Sequence, residues 1–326
     1  MTRCVFVAQA RGPHTKRWVA ALRGIDVNVH DIYREEFRSD EAFFVAVDAE
    51  QRHSDLTIAG PLSLAKRLEN PFIPTVLLSW GFDLQEAAAD LDLQKFALVL
   101  VDSKANSAIA QTAGAENVHL IPWGIDLASL DSDTTVTDLT DFGIAPNERV
   151  VLSLRAHEER YRVADIIEAF AKQPRNERLA VGNTGSLTPN LKELADRLNV
   201  DVTFLPAVDE SEIPGLLRRA SVYISASRVD GTSVTLLQAM ACQIPIVASA
   251  NPGNLDWIED GVTGFLFPIA DIERLNSALT RALVHDSSVT IRARAEVERR
   301  ADWQHNIYQL IPLLTKQQQP PQSRSD

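Results

Sequence analysis

Short apolar runs alternate with polar, helix-like segments along the first 126 residues of the chain. Unbroken apolar runs of this length are typical of strands that are buried on both faces of a sheet. Between them, the spacing of Trp18 and Leu22 predicts a helix over residues 14–24. Six runs predict strands, at residues 4–10, 27–32, 56–60, 75–81, 97–103 and 118–126.

The same alternation restarts after a polar segment at residues 127–148. Strands that alternate with helices predict a parallel sheet with helices on both faces, and two such series predict two doubly wound α/β domains facing a central cleft. The second series predicts strands at 150–155, 179–183, 201–206, 221–227 and 244–249, with helices at 163–172, 189–198, 211–219 and 233–242.

These patterns also predict how the chain divides. We expect an N-terminal domain, a polar linker, a C-terminal domain, a helix that crosses back to the first domain, and a disordered proline-rich tail. The corresponding ranges are 1–130, 131–148, 149–300, 301–316 and 317–326.

Composition narrows the possible partners. The 326 residues carry a formal net charge of −12, which argues against a broad surface for nucleic acid or for an anionic membrane. Cys4 and Cys242 stand far apart, so we expect neither a disulfide framework nor a structural zinc site. No signal-peptide or membrane-spanning pattern is recognised, and the expectation is a cytoplasmic protein.

The segment 225–249 is the most informative for chemistry. A strand ends near Ser227, a glycine-containing turn follows, and a helix starts near Thr232 or Ser233. Free N–H groups at a helix start can bind an anion, and ligands of open α/β sheets bind beyond the carboxyl ends of strands. The turn is therefore a candidate diphosphate site, although a hydroxyl N-cap alone would explain the same residues.

The same segment, DGTSVTLLQAMACQIPIVAS followed by NPGNLDWIEDGVTGFLFPIAD, resembles the donor half of family-4 retaining glycosyltransferases. Three further stretches match that family: a Pro-Trp-Gly turn, the helix IIEAFAK, and a Glu-Asp-Gly-x-x-Gly turn. They lie at residues 121–126, 166–172 and 259–264. The resemblance implies the GT-B fold of two Rossmann-like domains and a nucleoside-diphosphate-sugar donor, with no metal or other cofactor.

The resemblance also implies roles for individual residues. Arg155 and Arg160 would stabilise the departing diphosphate, with Arg162 as an alternative to Arg160. Asp230 would bind the hydroxyls of the donor sugar, and Gln238 would bind the ribose. The remaining residues implied to bind donor are Gly182, Pro206, Gly231, Thr232, Ser233 and Val234.

Asp230 stands where the family usually has Glu and Arg160 where it has Lys, and three further positions depart from the family pattern. Gln238 stands where the family has an acidic residue, which keeps an acceptor oxygen but loses its charge. Gln243 replaces a glycine after the helix and must either avoid the left-handed conformation or bear its cost. The usual Gly-Gly pair after the first strand is missing near Gly12.

Two residues of the first half are candidates for the acceptor side. His14 follows the first strand and would face the cleft, unless it is simply an exposed residue at a helix start. Asp83, at a strand end, resembles a family position near the reacting sugar; the alternative is that it caps a following helix.

Two other classes are rejected. The pairs Asp90/Asp92 and Asp131/Asp133 superficially resemble a metal-binding Asp-x-Asp, but neither follows a strand. The turn after the first strand lacks the Gly-x-Gly-x-x-Gly of a dinucleotide-dependent dehydrogenase.

The expectation is thus a metal-independent retaining hexosyltransferase of polysaccharide or glycoconjugate biosynthesis. Its acceptor would be a glycan, a lipid-linked glycan that brings peripheral membrane contact, or a small molecule. A nucleotide-binding or partner-binding relative with impaired catalysis, and a nucleotide-sugar epimerase, stay as alternatives.

Overall fold

The computed structural model describes residues 1–68, 73–79, 81–87, 91–132 and 134–317. Residue contacts divide the chain into two compact units. Unit 1 comprises Met1–Pro122 and Gln304–Asp326, and unit 2 comprises Trp123–Trp303. The last nine residues of the predicted tail lie outside the described residues.

Unit 1 contains a six-stranded parallel sheet in the order β2-β1-β3-β4-β5-β6. Its strands match the six predicted apolar runs; β2 and β3 are as long as their runs, and the other four strands are shorter. The strands are β1 (Arg3–Ala8), β2 (Asn28–Tyr33), β3 (Leu56–Gly60), β4 (Thr75–Leu78), β5 (Leu98–Val101) and β6 (Val118–Leu120). The helices are α1 (Pro13–Gly24), α2 (Asp40–Gln51), α3 (Leu62–Ala65) and α4 (Lys104–Thr112), and the C-terminal segment adds α13 (Trp303–Tyr308) and α14 (Leu310–Gln317).

Unit 2 contains the second parallel sheet, in the order β12-β11-β10-β7-β8-β9. This is the Rossmann order, in which the chain adds strands first on one side of β7 and then on the other. The strands are β7 (Val150–Ser153), β8 (Arg178–Val181), β9 (Val202–Phe204), β10 (Val222–Ser225), β11 (Ile246–Ser249) and β12 (Phe265–Phe267). The helices are α5 (Leu127–Ser132), α6 (Val163–Ala171), α7 (Thr188–Leu198), α8 (Ile213–Arg219), α9 (Val234–Ala241), α10 (Pro252–Leu255), α11 (Ile272–Leu283) and α12 (Ser288–Arg300).

Both faces of the unit 2 sheet are buried, which explains its continuous apolar runs. Val150 and Leu152 of β7 belong to one core cluster, while Val151 belongs to the cluster on the opposite face. Successive side chains of a strand point to opposite faces, so a strand between two helical layers needs apolar residues at every position.

The predicted linker is wrong, because residues 134–148 pack as part of unit 2. Leu139 and Ile144 are 2% and 1% exposed and join its core. Arg218 Nη2 donates to the carbonyl of Leu130 at 2.6 Å, and Arg219 Nη2 donates to that of Ala145 at 2.7 Å. A polar composition predicted a tether, but two apolar anchors and these hydrogen bonds hold the segment. The predicted first domain therefore ends at Pro122 rather than at residue 130.

The predicted helix 301–316 is two helices, α13 (Trp303–Tyr308) and α14 (Leu310–Gln317). Pro312 has no N–H, and inside one continuous helix its ring would clash with the carbonyl of Tyr308. The break at Gln309 moves Pro312 into the first turn of α14, where proline is tolerated. Residues from Gln304 onward cluster with unit 1, as Asn306 Nδ2 shows by donating to the Pro122 carbonyl at 3.1 Å.

The Pro-Trp-Gly turn has a steric reason for its glycine. A Cβ on Gly124 would lie 2.6 Å from the backbone of Trp303. The same approach lets Ile125 N–H donate to the Ala301 carbonyl at 2.8 Å. The turn therefore fastens the beginning of unit 2 to its end.

Candidate functional site

The strand order of unit 2 marks a candidate site at β7 and β10, the neighbouring strands where the order reverses. Ligands of open α/β sheets bind outside the carboxyl ends of strands at such a switch point. Arg155 comes two residues after β7, and Asp230 comes five residues after β10. The topology thus brings together two residues that lie 75 positions apart in the chain.

Arg155 is the centre of this cluster. Its Nη2 donates to Asp230 Oδ2 at 2.6 Å, its Nη1 donates to Ser233 Oγ at 2.9 Å, and its guanidinium lies 4.2 Å from the ring centroid of Tyr161. Burial is the largest single effect and disfavours the charged guanidinium, but the Asp230 carboxylate together with Tyr223 and Tyr161 raises the pKa of Arg155. The arrangement fixes a permanent cation at the sheet edge, and its buried Nε has no hydrogen-bond partner in the described part of the chain.

The turn after β10 leads directly into α9. Ser233 is the N-cap, with its Oγ accepting from Leu236 N–H at 3.4 Å, and Val234 is the first helical residue. Trp257 Nε1 donates to Thr232 Oγ1 at 3.3 Å. A helix start with N–H groups beside a fixed guanidinium is suited to binding a phosphate.

Gly253 permits a close approach of α10 to this turn. A Cβ at Gly253 would lie 2.0 Å from the carbonyl oxygen of Gly231 and 2.7 Å from that of Asp230. No side chain fits there, so the position of the turn depends on this glycine.

Gln238 lies one turn farther along α9 and is 7% exposed. Its Oε1 is buried and has no hydrogen-bond partner among the described residues. An unpaired buried acceptor is costly, and a hydroxyl donor on a ligand would satisfy it.

Gln243 adopts the left-handed conformation, with φ of +55°. The N–H of the following Ile244 donates to the Ala239 carbonyl at 3.0 Å, which closes the end of the helix. Of the two outcomes expected for a non-glycine residue here, the chain bears the steric cost.

The two alternatives for the second arginine make different contacts in the structure. Arg162, at φ of +48°, donates from Nε and Nη2 to both carboxylate oxygens of Asp165, at 2.7 and 3.0 Å. It thereby secures the start of α6. Arg160 lies partly buried, and its carbonyl accepts from Arg228 N–H at 2.8 Å, which joins the loop after β7 to the loop after β10. The Arg162 side chain is thus engaged by Asp165, and the choice of Arg160 for the diphosphate stays a prediction.

Gly182 and Pro206 follow the neighbouring strands β8 and β9. Gly182 N–H donates to the Ser153 carbonyl at 2.8 Å, and Asn183 N–H donates to the Pro206 carbonyl at 3.2 Å. These bonds align the carboxyl ends of β7, β8 and β9 at one edge. Gly182 and Pro206, which are predicted to bind the donor, thus lie on the edge of the sheet that carries Arg155.

His14 and Asp83 lie in unit 1. His14 is an exposed residue in the first turn of α1, after Pro13. Asp83 accepts from Leu62 N–H at 3.0 Å and from the hydroxyl of Ser79 at 2.5 Å. Burial raises the pKa of Asp83. Asp83 therefore caps the start of α3, whereas the sequence suggested that it caps a helix following Asp83. Trp80 of the same motif lies outside the described residues.

Sequence reasoning missed three residues that build this edge. Tyr161 supports the Arg155 guanidinium, and burial raises the pKa of the nearby Tyr223 to about 12. His157 is 1% exposed and its Nδ1 lies 2.9 Å from Thr188 Oγ1. Burial, with a contribution from Lys192, lowers the pKa of His157. Of these three residues, only Tyr161 had a signal in the sequence, as an aromatic residue between Arg160 and Arg162.

Two features of the described residues bear on binding to metal ions and to membranes. No three His, Cys, Asp or Glu side chains form a group that could hold a metal ion. No helix in this part of the chain has the length and apolar character needed to cross a membrane. Of the rejected Asp-x-Asp pairs, Asp90 and Asp133 lie outside it.

Relatives with known names are similar in sequence. The D-inositol 3-phosphate glycosyltransferase of Mycolicibacterium smegmatis is 25% identical over 211 residues, which cover 63% of this chain and 48% of that protein. The alpha-monoglucosyldiacylglycerol synthase of Streptococcus pneumoniae is 28% identical over 159 residues, covering 46% and 36%. The matched part is thus about half of these relatives or less.

Solved structures match nearly the whole chain. A sucrose-phosphate synthase from Thermosynechococcus elongatus has a TM-score of 0.79 at 17% identity, covering 97% of this chain and 99% of that one. The Anabaena protein HepE, in complex with UDP and glucose, has a TM-score of 0.77 at 17% identity, covering 97% and 100%. These likenesses, with the two Rossmann-type sheets, confirm the GT-B fold.

A family model confirms what the motifs indicated. The model described as "Glycosyl transferases group 1" matches residues 137–309, just over half of the chain, and contains every residue of the Arg155–Asp230 cluster. This chain therefore belongs to the group 1 glycosyl transferase family.

Proposed function

We propose that the protein is a retaining glycosyltransferase that moves a sugar from a nucleoside-diphosphate-sugar to an acceptor without a metal ion. The observation that carries the proposal is the buried Arg155 guanidinium, held at the switch point by Asp230 and by the N-cap Ser233 of α9. Membership in the family and the GT-B fold support it independently.

Arg155 and Arg160 stabilise the departing diphosphate in this proposal. Negative charge on the leaving phosphate grows as the glycosidic bond breaks, so fixed cations stabilise the transition state more than the ground state. The N–H groups of Ser233 and Val234 add donors from the helix start. With this charge compensation, the departing phosphate oxygen can take the acceptor proton on the same face, and configuration is retained.

The rest of the donor is held around these groups. Asp230 accepts hydrogen bonds from the sugar hydroxyls, and the unpaired Oε1 of Gln238 accepts from a ribose hydroxyl. Gly231 and Thr232 shape the turn beside the diphosphate. Gly182 and Pro206 line the edge where the nucleoside lies.

The similar proteins suggest classes of ligand. HepE has been solved with UDP and with UDP-glucose, which favours a uridine nucleotide. The relatives are named for an inositol phosphate and for a glycolipid, so a small polyol or a lipid-linked acceptor is the first choice. A lipid-linked acceptor would bring peripheral contact with a membrane, from a cytoplasmic location. His14 and Asp83 are proposed on the acceptor side.

Thermal unfolding in the presence of uridine, guanosine, adenosine and thymidine diphosphates, with and without a chelator, tests the donor site. A ligand at about 100 times its dissociation constant adds about 2.7 kcal/mol of stability. A base-selective stabilisation that survives chelation supports a metal-independent donor site. Stabilisation that disappears on chelation would contradict the metal-independent proposal.

A second candidate is a catalytically impaired relative that binds a nucleotide or a partner, and Gln238 in place of an acidic residue favours it. Substitution Gln238→Glu distinguishes the two, because a gain of transfer from an inactive background would indicate lost catalysis. A nucleotide-sugar epimerase on this fold is a further alternative, and it would convert the nucleotide-sugar with no acceptor present.

A further inference from the structure

Asp230 is the anion that pairs with Arg155 in the structure. The two side chains are 12% and 10% exposed, and 2.6 Å separates Asp230 Oδ2 from Arg155 Nη2. Nη1 of Arg155 donates to Ser233 Oγ, and the Tyr161 ring packs against one face of the guanidinium. A carboxylate therefore stands where a phosphate oxygen of the donor would be expected to contact the arginine.

Asp230 and a bound diphosphate must share this cation. A phosphate oxygen on Arg155 comes close to the Asp230 carboxylate, at an edge with little water. At a separation of about 5 Å and an effective dielectric constant of about 20, one extra like charge changes binding by ~250-fold, so a tenfold effect survives generous screening.

Substrate and product differ by such a charge. In a nucleotide-sugar the terminal phosphate is esterified and carries one negative charge. In the free nucleoside diphosphate the same phosphate gains a second ionisation, with a pKa of about 6 by analogy with phosphoserine. The sugar also presents hydroxyl donors to the carboxylate, whereas the free diphosphate presents none there.

We infer that Asp230 makes the site selective for the sugar-loaded donor over the free nucleoside diphosphate, by repelling the extra charge of the product and by competing with it for Arg155. The inference rests on the proposed function. After transfer, Asp230 loses its sugar partner and re-forms the pair with Arg155, which helps expel the product.

The experiment compares binding of four diphosphates (UDP, GDP, ADP and dTDP) and of their glucose conjugates to the wild-type protein and to Asp230→Asn. The ratio of the two dissociation constants is the readout. We expect Asp230→Asn to bind the matching free diphosphate about tenfold more tightly relative to its glucose conjugate. Because Asp230→Asn leaves a buried arginine without a charged partner, Asp230→Ser serves as a second neutral variant in case the first does not fold.

Asp260→Asn is the matched control. Asp260 is also paired with an arginine, through two hydrogen bonds from Arg281 at 3.1 and 2.8 Å, but the pair is exposed. The same loss of one negative charge there leaves the ratio unchanged.

Three results would overturn the inference. The ratio could stay at its wild-type value in the neutral variants, or Asp260→Asn could shift it equally. Either result leaves the donor site standing, because the wild-type protein still binds a nucleotide. Failure of the wild-type protein to bind any of the eight compounds removes the proposed function and the inference together.

Discussion

Arg155 and Asp230 form a buried ion pair across 75 residues of sequence, with 2.6 Å between Nη2 and Oδ2. Two parallel strands that are adjacent in the sheet, but three strands apart in the chain, present these residues at one edge. The pair therefore has two roles, one in the stability of unit 2 and one in the chemistry proposed for it.

Arg155→Ala tests both roles. We expect transfer to fall on the order of 10²–10³-fold, because a fixed donor to the leaving phosphate is lost. We also expect unfolding in urea to show a loss of about 3–5 kcal/mol, because Asp230 is left as a buried charge without its partner. The double variant Arg155→Ala/Asp230→Ala should recover part of that stability but none of the transfer. Near-normal turnover by folded Arg155→Ala would refute its catalytic role.

Substitutions of Arg160 and Arg162 should affect different measurements, kcat for the first and the free energy of unfolding for the second. Arg160→Ala should lower kcat, because its proposed partner is the leaving phosphate. Arg162→Ala should lower the free energy of unfolding by roughly 1–2 kcal/mol, because Asp165 loses two hydrogen bonds. Once folded, this second variant should keep its kcat. The opposite pattern would assign the phosphate contact to Arg162.

Gln238→Leu should have opposite effects on stability and on binding. It removes a buried acceptor that has no partner, so the melting temperature should stay equal or rise. The affinity for the nucleoside diphosphate should fall, by about tenfold if one hydrogen bond to ribose is lost. Calorimetric titration beside thermal unfolding measures both, and unchanged affinity would remove Gln238 from the donor site.

Gly253→Ala should disturb the turn that carries Asp230 and Gly231. A Cβ 2.0 Å from a backbone carbonyl forces the backbone to move, and we expect a loss of roughly 2–3 kcal/mol. Donor affinity should fall as well, because the start of α9 follows the turn. Gly24→Ala is the control, since nothing lies within 4 Å of its Cβ position, and it should change stability by less than ~0.5 kcal/mol.

His157 should make stability depend on pH. Its pKa in the folded protein lies below the ordinary value of 6.5, so the unfolded chain takes up the proton at a higher pH than the folded one. This contribution to stability is complete above about pH 6.5 and is lost as the pH falls below it. Urea unfolding at pH 7.5 and pH 5 should show a larger loss for the wild-type protein than for His157→Gln. Equal losses would show that His157 does not contribute.

The sequence predicted the buried sheet strands well because each is an apolar run between polar segments. It missed β12, since three apolar residues between a glycine turn and a proline are too few to show a period. It also missed α11, although Leu275, Ala278, Leu279 and Ala282 carry the helical spacing and are all buried. The sequence therefore carries the pattern that predicts this helix.

The residues of the site were found through motifs rather than through periodicity. Motif positions selected Arg155, Asp230 and Ser233, which the structure brings within hydrogen-bond distance of one another, and their roles stay predictions. Their mutual contacts depend on which strands are neighbours, and no local pattern encodes that. For the same reason, the support from Tyr161 and the engagement of Arg162 with Asp165 emerged only from the structure.

The division of the chain at Pro122 and Gln304 has a consequence for biosynthesis. Unit 2 is one continuous segment, whereas unit 1 needs Leu310 and Leu314, which are fully or nearly buried and come from the far end of the chain. A ribosome makes the sheet of unit 1 first and its last two helices at the end. Unit 1, which begins synthesis first, is therefore completed only after every residue of unit 2 has been synthesised.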